Sequence, residues 1–171
     1  MNQRRMKSFL FLVFIFSFSC ATAQVQSGAY DLMLNALLSH SVPEVSAGQI
    51  QNMKNILLLD AREKDEYQVC HIAKATYVGY VDFDIKRLEH VRKDEKIIVY
   101  CSVGYRSEKI AEKLLKAGFT DVSNFYGGIF EWVNQSRPIV DATNEPTDNI
   151  HAYSKMWGIW LTKGSKVYEA K

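Results

Sequence analysis

Histidine and cysteine are scarce in this chain, four and three residues among 171. The histidines show no metal-ligand spacing, His71 beside Cys70 included, so each reads as a packing or surface residue and no metal site or cofactor is expected. No internal repeat or low-complexity tract is present, which leaves one ordinary domain with short additions. Neither sign of charge dominates, with 21 Lys and Arg against 19 Asp and Glu. A nucleic-acid binder needs a basic surplus that is missing here. Nor does any apolar run approach the roughly 20 residues that span a bilayer. The candidate is the stretch of 12 residues from Ser8 to Ser19.

That short run has its own meaning. Arg4, Arg5 and Lys7 precede it and Ala21-Thr22-Ala23 follows, the three parts of a secretory signal peptide over residues 1–23. Export to a periplasm or the exterior is the expectation, with no membrane span in the mature chain. A competing reading makes Cys20 the lipidated first residue of a lipoprotein, although Ser17 and Phe18 fit a lipobox poorly. Cleavage after Ala23 removes three basic and no acidic residues, so the net charge moves from +2 to −1. Cys70 and Cys101 remain, an even pair in an oxidising compartment.

What is present centres on Lys96 to Gly118. Ile97-Ile98-Val99-Tyr100 is an apolar, β-branched strand pattern, and Ile110, Ala111, Leu114 and Leu115 repeat at helical spacing up to Gly118. Ser107 reads as the helix N-cap, Glu108 as its acidic first turn and Gly118 as its left-handed stop. Between strand and helix lies Cys101-Ser102-Val103-Gly104-Tyr105-Arg106. Backbone N–H groups at a helix N-terminus can curl round an anion, and the combination of such a terminus with an arginine favours a thiolate over a thiol. A buried, inert cysteine is the alternative. The position beyond a strand's carboxyl end, where open parallel sheets take their ligands, argues for reactivity.

Cys101, Gly104, Arg106 and Ser107 fill every position of the Cys-x-x-Gly-x-Arg-Ser loop and resemble the rhodanese (sulfurtransferase) family. Two further segments carry the resemblance. Leu57 to Arg62 with Glu66-Tyr67 and His71-Ile72 is similar to the family's Asp-x-Arg, Glu-Tyr and Gly-His-Ile signature, Cys70 standing where Gly usually precedes the His. Tyr126 to Trp132 is similar to its Gly-Gly-x-x-x-Trp segment. The resemblance covers roughly residues 45 to 140. It implies a cysteine that takes a sulfane sulfur from a donor such as thiosulfate, holds it as a persulfide, and passes it to a thiol or cyanide. Cys101 is then the nucleophile, the amides from Ser102 through Val103, Gly104 and Tyr105 to Arg106 its cradle, and Arg106 the group that orients a small anionic donor. Asp60, Arg62, Glu66 and Ser107 take supporting roles, with Asp60 or Glu66 as partner to Arg106. Related cysteine phosphatases use Cys-x5-Arg, one residue longer than the Cys-x4-Arg spacing here, which favours sulfur over phosphoryl chemistry. A non-catalytic or redox-sensing module of the same fold is the other reading.

Around the loop, the pattern predicts a helix over Gly28 to His40 in a lead-in of residues 24–44, and a short helix capped by Ser46 and running to Met53. Strands follow over Asn55 to Asp60, Ala75 to Tyr80 and Phe119 to Phe125, with a short helix over Asp84 to Val91 and a last one, carrying Trp132, after Gly127-Gly128. This alternation predicts an α/β fold, a doubly wound parallel sheet flanked by helices. Residues 141–171 bring back Tyr153, Trp157 and Trp160, too much aromatic surface to leave in water, and read as an extension packed on the domain. Whether it covers the active site stays open, as does any redox role of Cys70. In the family architecture Cys70 and Cys101 are expected to lie too far apart for a disulfide, whose Cα atoms sit within about 7 Å.

Overall fold

The computed structural model describes residues 25–169, so the signal-peptide segment and Cys20 lie outside the described residues. Five parallel strands form the central sheet: β1 Glu44–Val45, β2 Leu57–Asp60, β3 Thr76–Tyr77, β4 Lys96–Tyr100 and β5 Asp121–Phe125. Their spatial order is β1-β5-β4-β2-β3. The central strand β4 has no polar residue after Lys96 because both of its faces are covered. Ile98 and Tyr100 join one apolar cluster, with Tyr30 and Leu34 of α1 (Gly28–Leu37) and Ile129 and Phe130 of α5 (Gly128–Asn134). Ile97 and Val99 join the other, with Ile110, Ala111 and Leu114 of α4 (Tyr105–Lys116). Helices therefore lie on both faces of the sheet, as an open doubly wound fold requires.

The register places chemistry at one edge. Asp60 pairs with Tyr100 across β2 and β4, so the chain leaves both strands side by side, toward Ala61-Arg62 and Cys101 respectively. Short helices α2 (Ala47–Asn52) and α3 (Lys64–Val69) complete the crossovers. Ser46 and Gln49 form a reciprocal capping box at the start of α2.

Several elements are shorter than their sequence patterns. Helix α1 stops at Leu37 rather than His40 because the Ser39 and Ser41 amides turn away to donate to the buried Glu108 carboxylate. Strand β2 starts at Leu57, since Asn55 sits in a left-handed turn with φ 55°. In the run Ala75 to Tyr80 only Thr76–Tyr77 pairs as a strand, because the amides of Val78 and Gly79 both converge on the Asp60 carbonyl. The expected helix from Asp84 to Val91 is a single 3-10 turn, Ile85–Leu88, capped by the Asp84 carboxylate.

After α5 the chain folds back. A hairpin of β6 (Ile139–Val140) and β7 (Pro146–Thr147) leads to a parallel pair, β8 (Asn149–His151) with β9 (Ser165–Val167). Asn134 anchors this segment by donating to the Trp160 carbonyl and accepting from the Thr162 amide, while Trp160 stacks on Tyr30 at 5.6 Å between ring centres. Among the described residues no helix is long and apolar enough to cross a membrane.

Helix α5 begins where the sheet meets the cysteine loop. The Ile129 and Phe130 amides donate to the carbonyls of Cys101 and Ser102 at 2.9 and 3.1 Å. So close an approach has no room for a side chain at Gly128, where a Cβ would stand 2.4 Å from the Cys101 oxygen with φ at 55°. Gly128→Ala should therefore lower the free energy of unfolding by about 3 kcal/mol, read by chemical denaturation. A loss under about 1 kcal/mol would show that the loop yields easily.

Candidate active site

The strand-to-helix turn is tighter than the sequence pattern suggests. Gly104, at φ 121°, occupies the N-cap position of α4, and the helix starts at Tyr105. Ser107 is consequently not the cap. It lies within the first turn, where its hydroxyl donates to Asn124 Oδ1 at 2.7 Å and approaches Cys101 Sγ at 3.5 Å. Asn124 in turn donates to the Gly104 carbonyl at 3.1 Å, which fixes the glycine from the neighbouring strand. The Gly104 amide then donates to Cys101 Sγ at 3.1 Å. Of the amides from Ser102 to Arg106, this is the one bonded to the sulfur. An N–H aimed at sulfur from a helix N-terminus supplies what a thiolate needs, a fixed partial positive charge that costs no reorganisation when the negative charge forms.

Arg106 is held from two sides. Its Nη1 and Nη2 donate to the two carboxylate oxygens of Glu66 at 2.6 and 2.8 Å, and Nη2 also donates to Ser102 Oγ at 3.0 Å. Ser102 Oγ donates to Glu66 Oε1 at 3.0 Å, closing a three-residue clamp. Glu63 stands further off, 3.9 Å from Nη1. Burial alone would raise the Glu66 carboxyl, but the Arg106 hydrogen bonds and the Arg106 and Arg62 charges outweigh it and hold the group at about 2. Burial would likewise lower Arg106, yet the Glu66 hydrogen bonds and the nearby Cys101 and Glu66 charges push it well above the ordinary arginine value. The clamp is therefore fully ionised at neutral pH.

Of the two carboxylates named as partners for Arg106, Glu66 makes the contact and Asp60 does not. Asp60 and Arg62 are both fully buried and pair with each other, Nη2 to Oδ2 at 2.7 Å, and Arg62 Nη2 also donates to the Cys70 carbonyl at 2.6 Å. Their work is to tie the end of β2 to the end of α3, behind the cysteine loop rather than inside it. Cys70 is a free, fully buried thiol at the C-cap of α3, and burial pushes its pKa up. No disulfide joins it to Cys101.

Only 1% of Cys101 is exposed, yet it lines an open cavity of about 410 Å³. Ser102, Val103, Tyr105 and Arg106 share that lining, so the loop residues singled out from sequence are brought together except for Gly104, which sits behind the sulfur. Other lining residues were not legible. Leu37 and Tyr80 come from distant segments, and Tyr153 and Trp157 come from the C-terminal extension. Asn124 was missed as well, since it stands among other polar residues, Thr120, Asp121 and Ser123, and nothing in the sequence marks it out. Among the described residues no group of three or more His, Cys, Asp or Glu is placed to hold a metal ion.

Comparison with known proteins addresses the family and the fold. The model of the rhodanese-like domain matches residues 45–135. Thiosulfate sulfurtransferase GlpE of Coxiella burnetii is 26% identical over 96 residues, covering 56% of this chain and 89% of that protein. A tRNA uridine(34) hydroxylase of Aster yellows witches'-broom phytoplasma is 37% identical over 84 residues, 46% of this chain but only 27% of its own length. The chain thus spans about a quarter of such hydroxylases. Among solved structures, the rhodanese-like domain of an Anabaena protein superposes with a TM-score of 0.54 at 24% identity, covering 58% of this chain and 79% of that one. Thiosulfate sulfurtransferase from Pseudomonas aeruginosa superposes at 0.56 with 22% identity, covering 78% of this chain and 26% of that one. At these identities the superpositions speak for the fold.

The Glu66 clamp has a pH signature. Its folded pKa lies below the ordinary 4.5, so its contribution to stability is complete above that value and is lost as pH falls toward about 2. Glu66→Gln, which strands the Arg106 charge, should cost roughly 3 kcal/mol at neutral pH, with the gap to the unaltered protein narrowing between pH 4.5 and 2. A pH-independent gap in the melting curves would contradict the ionised clamp. With the domain model matching more than half of its length, the chain belongs to the rhodanese-like domain family.

Proposed function

We propose that the protein is a sulfurtransferase that carries sulfane sulfur on Cys101. The carrying observation is the sulfur of Cys101 held by the Gly104 amide at the head of α4 while lining an open cavity. The Cys101 thiolate attacks the outer sulfur of a donor. A new S–S bond forms, the bond to the rest of the donor breaks, and that remainder leaves with the electron pair, as sulfite when the donor is thiosulfate. The resulting Cys101 persulfide is attacked at its outer sulfur by a thiolate or cyanide acceptor, which departs with the sulfur and restores the Cys101 thiolate. No net oxidation occurs in the cycle.

Supporting groups follow from the geometry. Glu66 and Ser102 fix Arg106 beside the loop, so its positive charge favours the anionic cysteine without a flexible side chain having to search for it. Asn124 and Ser107 hold Gly104 in the conformation that aims its amide at sulfur. The same reading places the chain outside the cytoplasm, on the strength of the charged, apolar and A-x-A pattern of residues 1–23. An oxidising compartment does not threaten the nucleophile from within, since Cys70 is buried and unpaired. The sulfurtransferase relative lends the activity class its support.

Incubation with excess thiosulfate or methanethiosulfonate, followed by intact-mass measurement, should show a gain of one sulfur atom. The gain should vanish in Cys101→Ala, persist in Cys70→Ala, and be discharged by cyanide as thiocyanate. A Cys101 that stays unmodified by every sulfane donor would move the protein to the class of binding modules.

A further inference from the structure

Resting on the sulfur-carrier reading, the geometry points to an organic sulfane compound with an apolar, ring-sized group as the substrate class, in place of a small inorganic dianion. Three observations converge on it. The first is charge. Among the described residues Arg106 is the one cation lining the cavity, and both of its terminal nitrogens are already bonded, to Glu66 and Ser102. Glu63 lines the same cavity, so with Glu66 behind it the acidic side chains outnumber the cation. A dianion entering there meets an arginine already paired with Glu66 and, at 3.9 Å, with Glu63, so among the described lining residues no surplus positive charge is left to hold it beside the Cys101 thiolate.

The second is the shape and chemistry of the wall. Leu37, Tyr80, Val81, Tyr105, Tyr153 and Trp157 surround the approach to Cys101 in a cavity of about 410 Å³. That volume lies in the range of pockets that enclose organic ligands under mainly apolar and aromatic walls, with few polar groups to orient them. Thiosulfate would fill little of it.

The third is how Tyr153 is presented. Its backbone takes φ 62°, a conformation that bulky residues rarely adopt, and its amide is bonded to His151 Nδ1. Its ring lies over the Arg106 guanidinium, 5.0 Å from carbon to ring centre, while the residue remains half exposed. The ring therefore covers one face of the guanidinium and offers an aromatic surface to whatever enters the cavity. Backbone strain that holds an aromatic side chain beside a nucleophile is spent on position, not on core packing. Leu37, Tyr153 and Trp157 lie outside residues 45–135, so half of the apolar wall is an addition of this chain to the shared domain, and Tyr80, Val81 and Tyr105 belong to the domain itself.

Benzenethiosulfonate is a suitable probe. Attack of the Cys101 thiolate on its outer sulfur forms Cys101–S–S⁻, breaks the bond to the sulfonyl sulfur and releases benzenesulfinate with the electron pair, so charge and electrons balance without a further reactant. Second-order rate constants for sulfur loading, followed by intact mass, would be compared for benzenethiosulfonate, methanethiosulfonate and thiosulfate. The expected benzene-to-methane ratio is about tenfold, with thiosulfate slowest. In Tyr153→Ala and Trp157→Ala the ratio should fall toward one, Tyr153→Phe should restore it, and Met156→Ala, an exposed neighbour outside the cavity, should keep it. Circular dichroism of each variant separates lost selectivity from lost folding. Equal loading by all three donors, or an unchanged ratio in folded Tyr153→Ala and Trp157→Ala, overturns this inference and leaves the sulfur carrier standing. Failure of every donor to load Cys101 overturns both.

Discussion

Two amides at the start of α5 hold the carbonyls of Cys101 and Ser102, and the geometry of the site descends from that pair of bonds. A loop following a buried strand has carbonyls that must be satisfied, since an unpaired buried peptide group costs about as much as the hydrogen bond it forgoes. Here the partners are supplied by a helix N-terminus whose own first amides also need acceptors. One contact settles both demands. It also compels the backbone to approach so closely that Gly128 has no space for a Cβ. The Gly-Gly segment, distant in sequence from the cysteine, is thus part of the cysteine's support.

With the loop held from below, its charge is arranged from the side. Glu66, Ser102 and Arg106 form a closed set in which each charged group finds its partner, and Asp60 with Arg62 forms a second set one layer further in. Buried ion pairs contribute little net stability when weighed against apolar replacements, but losing one member leaves an uncompensated charge that is expensive. Such pairs therefore serve better as locators than as glue. The inner pair ties β2 to α3, and the outer pair ties α3 to the first turn of α4. Cys101 lies between elements that cannot shift independently.

The segments outside the shared domain act on access instead. Helix α1 contributes Leu37, and the extension beyond α5 returns along α3 to bring Tyr153 and Trp157 over the cavity. Asn134 and the stacking of Trp160 on Tyr30 anchor this extension against the domain. The cavity beside the reactive loop is thus lined both by the shared domain and by segments outside it. The family likeness covers the loop with Tyr80, Val81 and Tyr105, and does not cover Leu37, Tyr153 and Trp157.

What the sequence determined by itself is local. The β-branched run before Cys101, the helical spacing after it and the alternation of strand with helix are set by side-chain periodicity, which is why the parallel sheet, the loop and its residues could be read directly. Element ends were less legible, because Glu108 draws the chain out of α1 and Asn124 holds Gly104, in place of Ser107, as the N-cap of α4, both through long-range bonds. The choice of Glu66 over Asp60 as partner to Arg106 was likewise a matter of tertiary structure. Both carboxylates sit beside the same motif, and only packing decides which one points inward to Arg62 and which across to the loop. The aromatic wall was hidden for the same reason. Tyr153 and Trp157 are visibly apolar in the sequence, but the surface they cover is defined by where the chain turns back, and no periodicity encodes that.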